Sequence, residues 1–147
     1  MSVEKVESSN DVRRVIKLGE RLPLYTGGSG NAILAYLPDE EIKRFIKEEK
    51  LISYTSNTIT DPEKLLQNLK EIRKKGYAIA IGERVPDATT IGAPIFDFTS
   101  KVIASLTISG PSECITEEKI TEFVSLIKEA AMKISVSLGY ESKSKLY

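Results

Sequence analysis

The sequence predicts an α+β domain in which helices pack against one antiparallel sheet. Two apolar runs, at 89–98 and 102–109, are separated by only three residues, which predicts neighbouring antiparallel strands. Segments 61–75 and 116–138 begin with a capping residue and acids and continue with apolar residues at helical spacing. A chain of 147 residues, 41% of them hydrophobic, suits a single domain with its own core.

The N-terminal part of the chain predicts a hairpin followed by a helix. Residues 2–7 and 12–18 contain β-branched residues and flank a polar turn cluster, so we expect two paired strands there. A glycine-rich stretch, residues 26–32, then leads into an apolar run. This pattern predicts a helix from about residue 28 to residue 37.

Two further helices are predicted before the sheet. One begins with the proline and acids at 38–41, and the next runs from residue 61 to the closing Gly76. Between them, residues 53–60 are rich in serine and threonine and are predicted to be extended. The basic run at 70–75 matches the helix dipole and has no interleaved aromatic residues. We therefore interpret it as a solvated helix end rather than a nucleic-acid contact.

The rest of the chain predicts a three-stranded meander and a long helix. Residues 77–81 form the first strand, the loop 82–88 follows, and the two apolar runs complete the sheet. We expect the last helix, from Thr116 to Gly139, to pack on the sheet or on a partner, and residues 140–147 to form a loose tail. Its apolar face comprises Ile120, Phe123, Val124, Ile127, Ala131, Ile134 and Leu138.

Composition excludes several classes of function. Basic and acidic residues both number 21, so the net charge is zero and the basic footprint of a nucleic-acid-binding protein is absent. No apolar stretch is long enough to span a bilayer and no signal peptide is recognisable, so we expect a cytoplasmic protein without membrane contact. Histidine is absent, which removes the commonest general base and transition-metal ligand. We therefore expect no metal, no cofactor, no catalytic residues and no enzymatic activity.

The glycine-rich stretch is the first candidate for a binding site. Glycine permits positive φ angles and the close approach of another group. The helix that follows directs its first free N–H groups above the glycines, and these donors, with the helix dipole, suit a carboxylate or another small anion. We interpret this as a pocket for a small acidic metabolite. The alternative is a strand-to-helix turn that uses glycine for geometry alone.

Small and hydroxyl-bearing residues of the predicted sheet extend this candidate pocket. Thr107 and Ser109 are two residues apart, so both hydroxyls face the same side of their strand. Hydroxyls near a helix N-terminus form a donor set for a carboxylate or a keto acid. The alternative is that threonine and serine occupy a solvent-exposed sheet face. The candidate ligand-binding residues are Gly28, Ser29, Ala80, Ala88, Thr90, Thr107 and Ser109.

Four segments of the chain carry a resemblance to a known family. They are GERLPLY followed by GSGNA (19–25 and 28–32), TITDPEKL (58–65), IRKKGY (72–77), and GAPIFD with SGP (92–97 and 109–111). In this order and spacing they resemble the C-terminal effector-binding domain of IclR-type (isocitrate lyase regulator) transcription factors of bacteria and archaea. The likeness covers residues 3–139.

This resemblance implies a GAF-like fold for residues 1–139, a small-molecule pocket and assembly into a homodimer or homotetramer. It also implies that ligand contacts fall on the seven candidate residues. Effectors of such domains include small organic acids, such as pyruvate and glyoxylate, and aromatic acids. The family's winged helix-turn-helix has no counterpart in the chain, so we expect DNA binding through a separate domain.

Two positions depart from the family pattern. The family usually has acids after the Gly-Tyr pair, where this chain has residues 80–82 followed by the single Glu83. It often has cysteine at the position of Thr90. We expect these changes to make the pocket less negative and to alter its donors, so a relative's effector cannot be assigned to this chain.

Three functional hypotheses remain open on the sequence. The leading one is a ligand-sensing regulatory domain that changes operator binding by attached DNA-reading domains. The second is an oligomerisation module with a vestigial pocket, in which the last helix or a sheet edge forms a dimer. The third, a stand-alone enzyme, is disfavoured by the missing histidine.

Overall fold

The structure is a computed structural model that describes residues 1–7, 9 and 17–142. Helices lie on both sides of a three-stranded sheet, which confirms the predicted α+β class. The elements are α1 (Gly27–Leu34), α2 (Asp39–Glu48), α3 (Pro62–Lys75), β1 (Ala78–Ile81), β2 (Ala88–Phe96), β3 (Val102–Pro111), a 3-10 turn (Ser112–Cys114) and α4 (Glu117–Ser137).

The sheet is the predicted antiparallel meander, in the order β1-β2-β3. Its register aligns Ala80 with Thr90 and Thr90 with Ser109, so these residues form one row across the strands. Gly92 pairs with Thr107 in a second row on the same face. Because side chains alternate along each strand, this face is lined by small and hydroxyl-bearing residues.

The opposite face of the sheet carries the long helix. Ile91, Ala93 and Ile95 of β2 form one buried cluster with Ile127 and Ala131 of α4. A second buried cluster lies on the α1 side, where α1, α2 and α3 pack together. The sheet therefore separates an apolar α4 layer from a face on which α1 lies.

Local sequence signals set the bounds of α3 as predicted. The Asp61 side chain accepts a hydrogen bond from the Glu63 N–H at 2.9 Å, which satisfies a free donor of the first turn. Pro62 follows as the first helical residue. Gly76 ends the helix at a φ of 86°, in the left-handed region where glycine carries no Cβ penalty.

Helix α1 meets β2 through backbone atoms rather than side chains. A Cβ on Gly92 would lie 2.3 Å from the Gly28 carbonyl oxygen, and a Cβ on Gly28 would lie 2.9 Å from the Gly92 nitrogen. Real Cβ atoms do not come this close to backbone, so both positions require glycine. The glycines therefore serve the geometry of this contact, as the alternative interpretation of the stretch states.

The structure differs from the predicted N-terminal hairpin. Residues 2–7 form no strand, and that prediction is wrong. Only Ser2 exchanges backbone hydrogen bonds with residues 19–20, while Val3 and Val6 are 75% and 97% exposed, so burial does not stabilise an extended ladder there. Most of the second predicted strand, residues 12–16, lies outside the described residues.

Two other segments also differ in detail. Helix α1 ends at Leu34, three residues earlier than predicted. Residues 53–60 contain a turn rather than an extended segment, because the Thr58 hydroxyl accepts hydrogen bonds from the Tyr54 and Thr55 N–H groups, at 3.0 Å each.

Helix α4 buries a serine where the sequence predicts a hydrophobic residue. Ile134 and Leu138 are 38% and 42% exposed, whereas Ser135 is fully buried. A β-bulge at residues 95–96 leaves the Phe96 N–H outside the strand ladder, and the Ser135 hydroxyl accepts from it at 3.0 Å. The same hydroxyl donates to the Ala131 carbonyl at 2.8 Å, so a polar side chain suits this position.

The C-terminal end of the described chain packs back on the sheet. The Tyr140 ring stacks on the Phe96 ring with centroids 4.9 Å apart, although residue 140 opens the predicted tail. Residues 143–147 of that tail lie outside the described residues. Within the described part of the chain, no helix has the length and apolar composition needed to cross a membrane.

Gly92→Ala is expected to destabilise the domain by about 1–3 kcal/mol, because the new Cβ must push α1 away from β2. Gly110→Ala is the matched control, since a Cβ there would lie 3.4 Å from the flexible Ile115 side chain. Urea unfolding followed by circular dichroism measures both. Equal midpoints for Gly92→Ala and the wild type would show that α1 does not pack as described.

Ser135→Ala is expected to cost about 1–3 kcal/mol, because it leaves the Phe96 N–H without its acceptor. Ser137→Ala serves as the control: its exposed hydroxyl makes the same type of bond, to the Lys133 carbonyl at 2.9 Å. We expect that change to alter stability by less than about 0.5 kcal/mol. Thermal unfolding of the two variants tests the difference, and equal losses would contradict it.

Candidate ligand-binding site

The structure brings the seven candidate residues to one face of the sheet and the start of α1. Ala80, Thr90 and Ser109 form one cross-strand row. Thr107 is two residues from Ser109 and Ala88 two residues from Thr90, so both point to the same face as that row. The remaining two residues, Gly28 and Ser29, lie in the first turn of α1.

Two hydrogen bonds attach the first turn of α1 to this face. The Gly28 N–H donates to the Thr90 hydroxyl oxygen at 2.5 Å, and the Ser105 hydroxyl donates to the Ser29 carbonyl at 3.0 Å. Because the Thr90 oxygen accepts here, its own O–H can donate to a further group. The N-terminal end of the helix dipole therefore lies next to the hydroxyl-bearing rows of the sheet.

The hydroxyls of Thr107 and Ser109 are buried and have no hydrogen-bond partner among the described residues. Their oxygen atoms are shielded from solvent, so these side chains do not present hydroxyls on a solvent-exposed sheet face, as the alternative interpretation required. A buried polar group without a partner costs about 1–3 kcal/mol. Two such groups side by side make this face suited to a polar ligand.

Glu83 is a buried acid beside the start of α1. It is only 9% exposed, and its Oε1 accepts a hydrogen bond from the Asn31 Nδ2 at 3.2 Å. Burial raises the pKa of the Glu83 carboxyl above its ordinary value, and hydrogen bonding from the Gly27 backbone and the Asn31 side chain opposes that rise in part. The structure thus places one acid at the α1 N-terminus, and the expected lower negative charge relative to the family stays a prediction.

A polar segment, residues 52–58, holds the Glu83 turn in place. The Thr55 hydroxyl donates to the Gly82 carbonyl, and the Thr58 hydroxyl donates to the Glu83 carbonyl. At its other end, the Tyr25 hydroxyl accepts from the Ile52 N–H at 2.8 Å and donates to the Ile52 carbonyl at 3.0 Å. The segment therefore connects the residues that precede α1 with the turn that carries Glu83.

Sequence reasoning missed four residues that build this site: Asn31, Glu83, Gly92 and Ser105. A glycine inside a strand signals close approach of another backbone, which could have identified Gly92. An asparagine in a helix interior is unfavourable by propensity, which could have drawn attention to Asn31. The family pattern of acids after the Gly-Tyr pair singles out Glu83, but no local pattern links it to Asn31, which is 52 residues away in the chain.

A surface groove of about 450 Å³ lies away from the candidate residues, between Tyr36, Arg73 and Lys101. The Arg73 guanidinium in it is already engaged, with the Ala35 carbonyl at 2.8 Å and the Leu37 carbonyl at 2.7 Å. These bonds satisfy carbonyls just beyond the end of α1, so the Arg73 guanidinium is already occupied within the fold. In the described parts of the chain, no group of three or more Cys, Asp or Glu residues is placed to hold a metal ion.

Comparison with known proteins identifies the family. The family model described as "Bacterial transcriptional regulator IclR C-terminal" matches residues 1–136. The chain belongs to the IclR family. The resemblance inferred from the four sequence segments is therefore confirmed, together with the type of domain: the effector-binding C-terminal domain of a transcriptional regulator.

Individual IclR-family relatives agree with this assignment. The chain is 41% identical over 138 residues to HTH-type transcriptional regulator KipR of Bacillus subtilis, covering 94% of this chain and 55% of KipR. It is 34% identical over 140 residues to HTH-type transcriptional repressor AllR of Escherichia coli, covering 95% of this chain and 52% of AllR. The chain thus spans about half the length of these relatives.

A solved structure of the IclR family matches the fold. The crystal structure of Thermotoga maritima IclR superposes with a TM-score of 0.89 at 41% identity, covering 93% of this chain and 56% of that one. The relatives are transcriptional regulators, so the expectation of a domain without enzymatic activity is confirmed.

Glu83 is expected to give the stability of this IclR-family domain a specific pH dependence. Because its pKa is raised in the folded state, the folded chain holds a proton that the unfolded chain releases between the two pKa values. The contribution of Glu83 to stability is therefore present at low pH and lost as the pH rises through the folded-state pKa. In Glu83→Gln the side chain does not titrate, so this loss of stability with rising pH should be absent.

Urea unfolding at a series of pH values measures the effect as the difference in unfolding free energy between wild type and Glu83→Gln. The variant should gain stability relative to the wild type as the pH rises. Glu113→Gln, at an exposed position in the 3-10 turn, is the control and should show no such trend. Parallel pH profiles for wild type and Glu83→Gln would contradict the expectation.

Proposed function

We propose that this domain senses a small organic acid, bound between the start of α1 and the hydroxyl-bearing face of β2 and β3. The observation that carries the proposal is the pair of buried hydroxyls, on Thr107 and Ser109, that lack partners among the described residues. A bound carboxylate or keto oxygen would accept hydrogen bonds from both. It would thereby remove the cost of leaving two buried donors unpaired.

Other candidate residues support the same ligand class. The Thr90 O–H can supply a third donor, since its oxygen accepts from the Gly28 N–H. Ala80 and Ala88 present only methyl groups on the same face, so their side chains add no charge and little bulk there. The α1 N-terminus adds a favourable potential for negative charge. Together these features favour a small anion over a large apolar ligand.

In the proposed function, the occupied domain controls DNA binding by a separate winged-helix domain in the cytoplasm. The chain covers about half of KipR and AllR, whose names describe helix-turn-helix regulators, so the remainder of such a protein would contact the operator. Control requires that the acid bind one of two regulator conformations more tightly than the other. We further propose that the domain associates as a homodimer or homotetramer, through which that difference reaches the DNA.

The alternative of an oligomerisation module with a vestigial pocket is less well supported. A pocket that no longer binds a ligand should fill with apolar side chains, because buried hydroxyls without partners destabilise the fold. The hydroxyls of Thr107 and Ser109 are instead retained in buried positions. Their cost is explained if a ligand provides their partners.

A thermal-shift screen with pyruvate, glyoxylate and benzoate tests the proposal. At least one acid should raise the melting temperature of the 147-residue chain, because ligands that bind only the folded state stabilise it. Thr107→Val and Ser109→Ala should each weaken the affinity by about two- to tenfold, since each removes a hydrogen bond of about 0.5–1.5 kcal/mol.

Thr89→Val is the matched control for the screen. Its hydroxyl lies on the opposite face of β2 and bonds to the Ser112 hydroxyl at 2.8 Å, so the affinity for the acid should not change. The proposal fails if no acid stabilises the chain. It also fails if the Thr107 and Ser109 variants respond as the wild type does.

A further inference from the structure

Glu83 is a buried acid that the structure brings to the start of α1. The four elements that surround the candidate site, α1 and the three strands, contain no ionisable side chain. The carboxyl of Glu83 reaches the first turns of α1 from the loop after β1 and bonds to Asn31, which is 1% exposed. The end of α1 that suits an anion therefore already has one.

The charged and titratable groups near Glu83 are engaged or exposed. Arg84, the next residue, pairs with Glu20 at 3.5 Å, and Asp87 of the same loop is exposed. The polar segment at residues 52–58 contains Tyr54, whose side chain is exposed and close to the Tyr25 ring. None of them is among the causes that shift the Glu83 pKa, which are burial and hydrogen bonds from Gly27 and Asn31.

The hydrogen bonds of Asn31 allow a second protonation state of Glu83. With the carboxylate ionised, the Asn31 amide N–H donates to it, and the buried Asn31 Oδ1 has no partner among the described residues. A protonated Glu83 has an O–H to donate, and Asn31 can accept it through Oδ1 after its amide rotates by half a turn. The Glu83–Asn31 hydrogen bond can therefore be kept in both protonation states, with Asn31 as the donor to the carboxylate and as the acceptor from the protonated acid.

We propose that the Glu83 carboxylate competes with the effector for the N-terminal end of α1. An organic acid would then bind this domain with the uptake of one proton from solvent by the Glu83 carboxyl. The inference rests on the proposed function, because it requires an anion next to the same helix N-terminus. Two carboxylates close together in a buried site cannot both remain ionised without a large cost. Protonation of Glu83 removes the repulsion between the two carboxylates. The N-terminal end of the α1 dipole then interacts with the carboxylate of the bound acid.

This linkage has a defined direction. Below the pKa of free Glu83 the proton is already present, and the acid binds at its full affinity. As the pH rises, binding must take a proton from the buffer, and the affinity falls by up to about tenfold per pH unit, the limit for one linked proton. The response of the regulator to its effector would therefore be stronger in acidic conditions.

Isothermal titration calorimetry of the 147-residue chain with pyruvate and glyoxylate tests the inference. Titrations at several values between about pH 5 and pH 8, in buffers of different ionisation enthalpy, count the protons taken up. The wild type should bind more weakly as the pH rises and should take up a proton at pH values above the pKa of free Glu83. Glu83→Gln should bind with no proton uptake, with little pH dependence and, near pH 8, more tightly than the wild type.

Two controls separate the linkage from general charge effects. Asp87→Asn removes an exposed acid from the same loop and should retain the proton uptake of the wild type. Pyruvamide, the uncharged amide of pyruvate, should bind without proton uptake if it binds, and its failure to bind would support the requirement for an anion.

The outcomes distinguish this inference from the proposed function. Binding of either acid by the wild type without proton uptake at any pH of the series, and with an affinity that does not fall as the pH rises, would overturn the role of Glu83 and leave the effector site intact. Proton uptake that persists in Glu83→Gln would also overturn it. If neither acid binds the wild type or the variant at any pH, and benzoate does not bind either, both the organic-acid site and the linkage are wrong.

Discussion

The backbone contact between Gly28 of α1 and Gly92 of β2 determines how the rest of the domain is arranged. No side chain separates the helix from the strand at this point, so the first turn of α1 rests directly on the sheet. The close approach of α1 to β2 lets the Gly28 N–H donate to the Thr90 hydroxyl and lets the Ser105 hydroxyl donate to the Ser29 carbonyl. Any larger residue at either glycine would move the helix dipole away from the hydroxyls of the sheet.

The fold was predictable from the sequence wherever the determining interactions are local. The caps of α3 and the tight turn between β2 and β3 involve residues within a few positions of one another. The predicted face of α4 fails at Ser135 because its partner, the Phe96 N–H, is freed by a bulge 39 residues away. The strand predicted at residues 2–7 fails because alternation alone does not supply a neighbouring strand.

The candidate site was predictable only in part, for a related reason. Alternation along β3 places the Thr107 and Ser109 hydroxyls on one side without knowledge of the fold. That these hydroxyls are buried and unpaired depends on α1 covering them, which a sequence pattern does not state. The Glu83–Asn31 pair joins a loop residue to a residue inside α1, and no shared motif links them, so the pair becomes apparent only in the folded chain. The ligand contacts of the seven residues stay a prediction.

The polar segment between α2 and α3, residues 52–58, links the turn that carries Glu83 to helix α3. The Thr55 and Thr58 hydroxyls donate hydrogen bonds to the carbonyls of residues 82 and 83. At the other end of the segment, the Tyr25 hydroxyl accepts a hydrogen bond from the Ile52 N–H. A displacement of the Glu83 turn would therefore either break these hydroxyl bonds or pull the segment along with it. Because the segment ends at residue 58 and α3 begins at Pro62, the chain itself would transmit such a displacement to that helix.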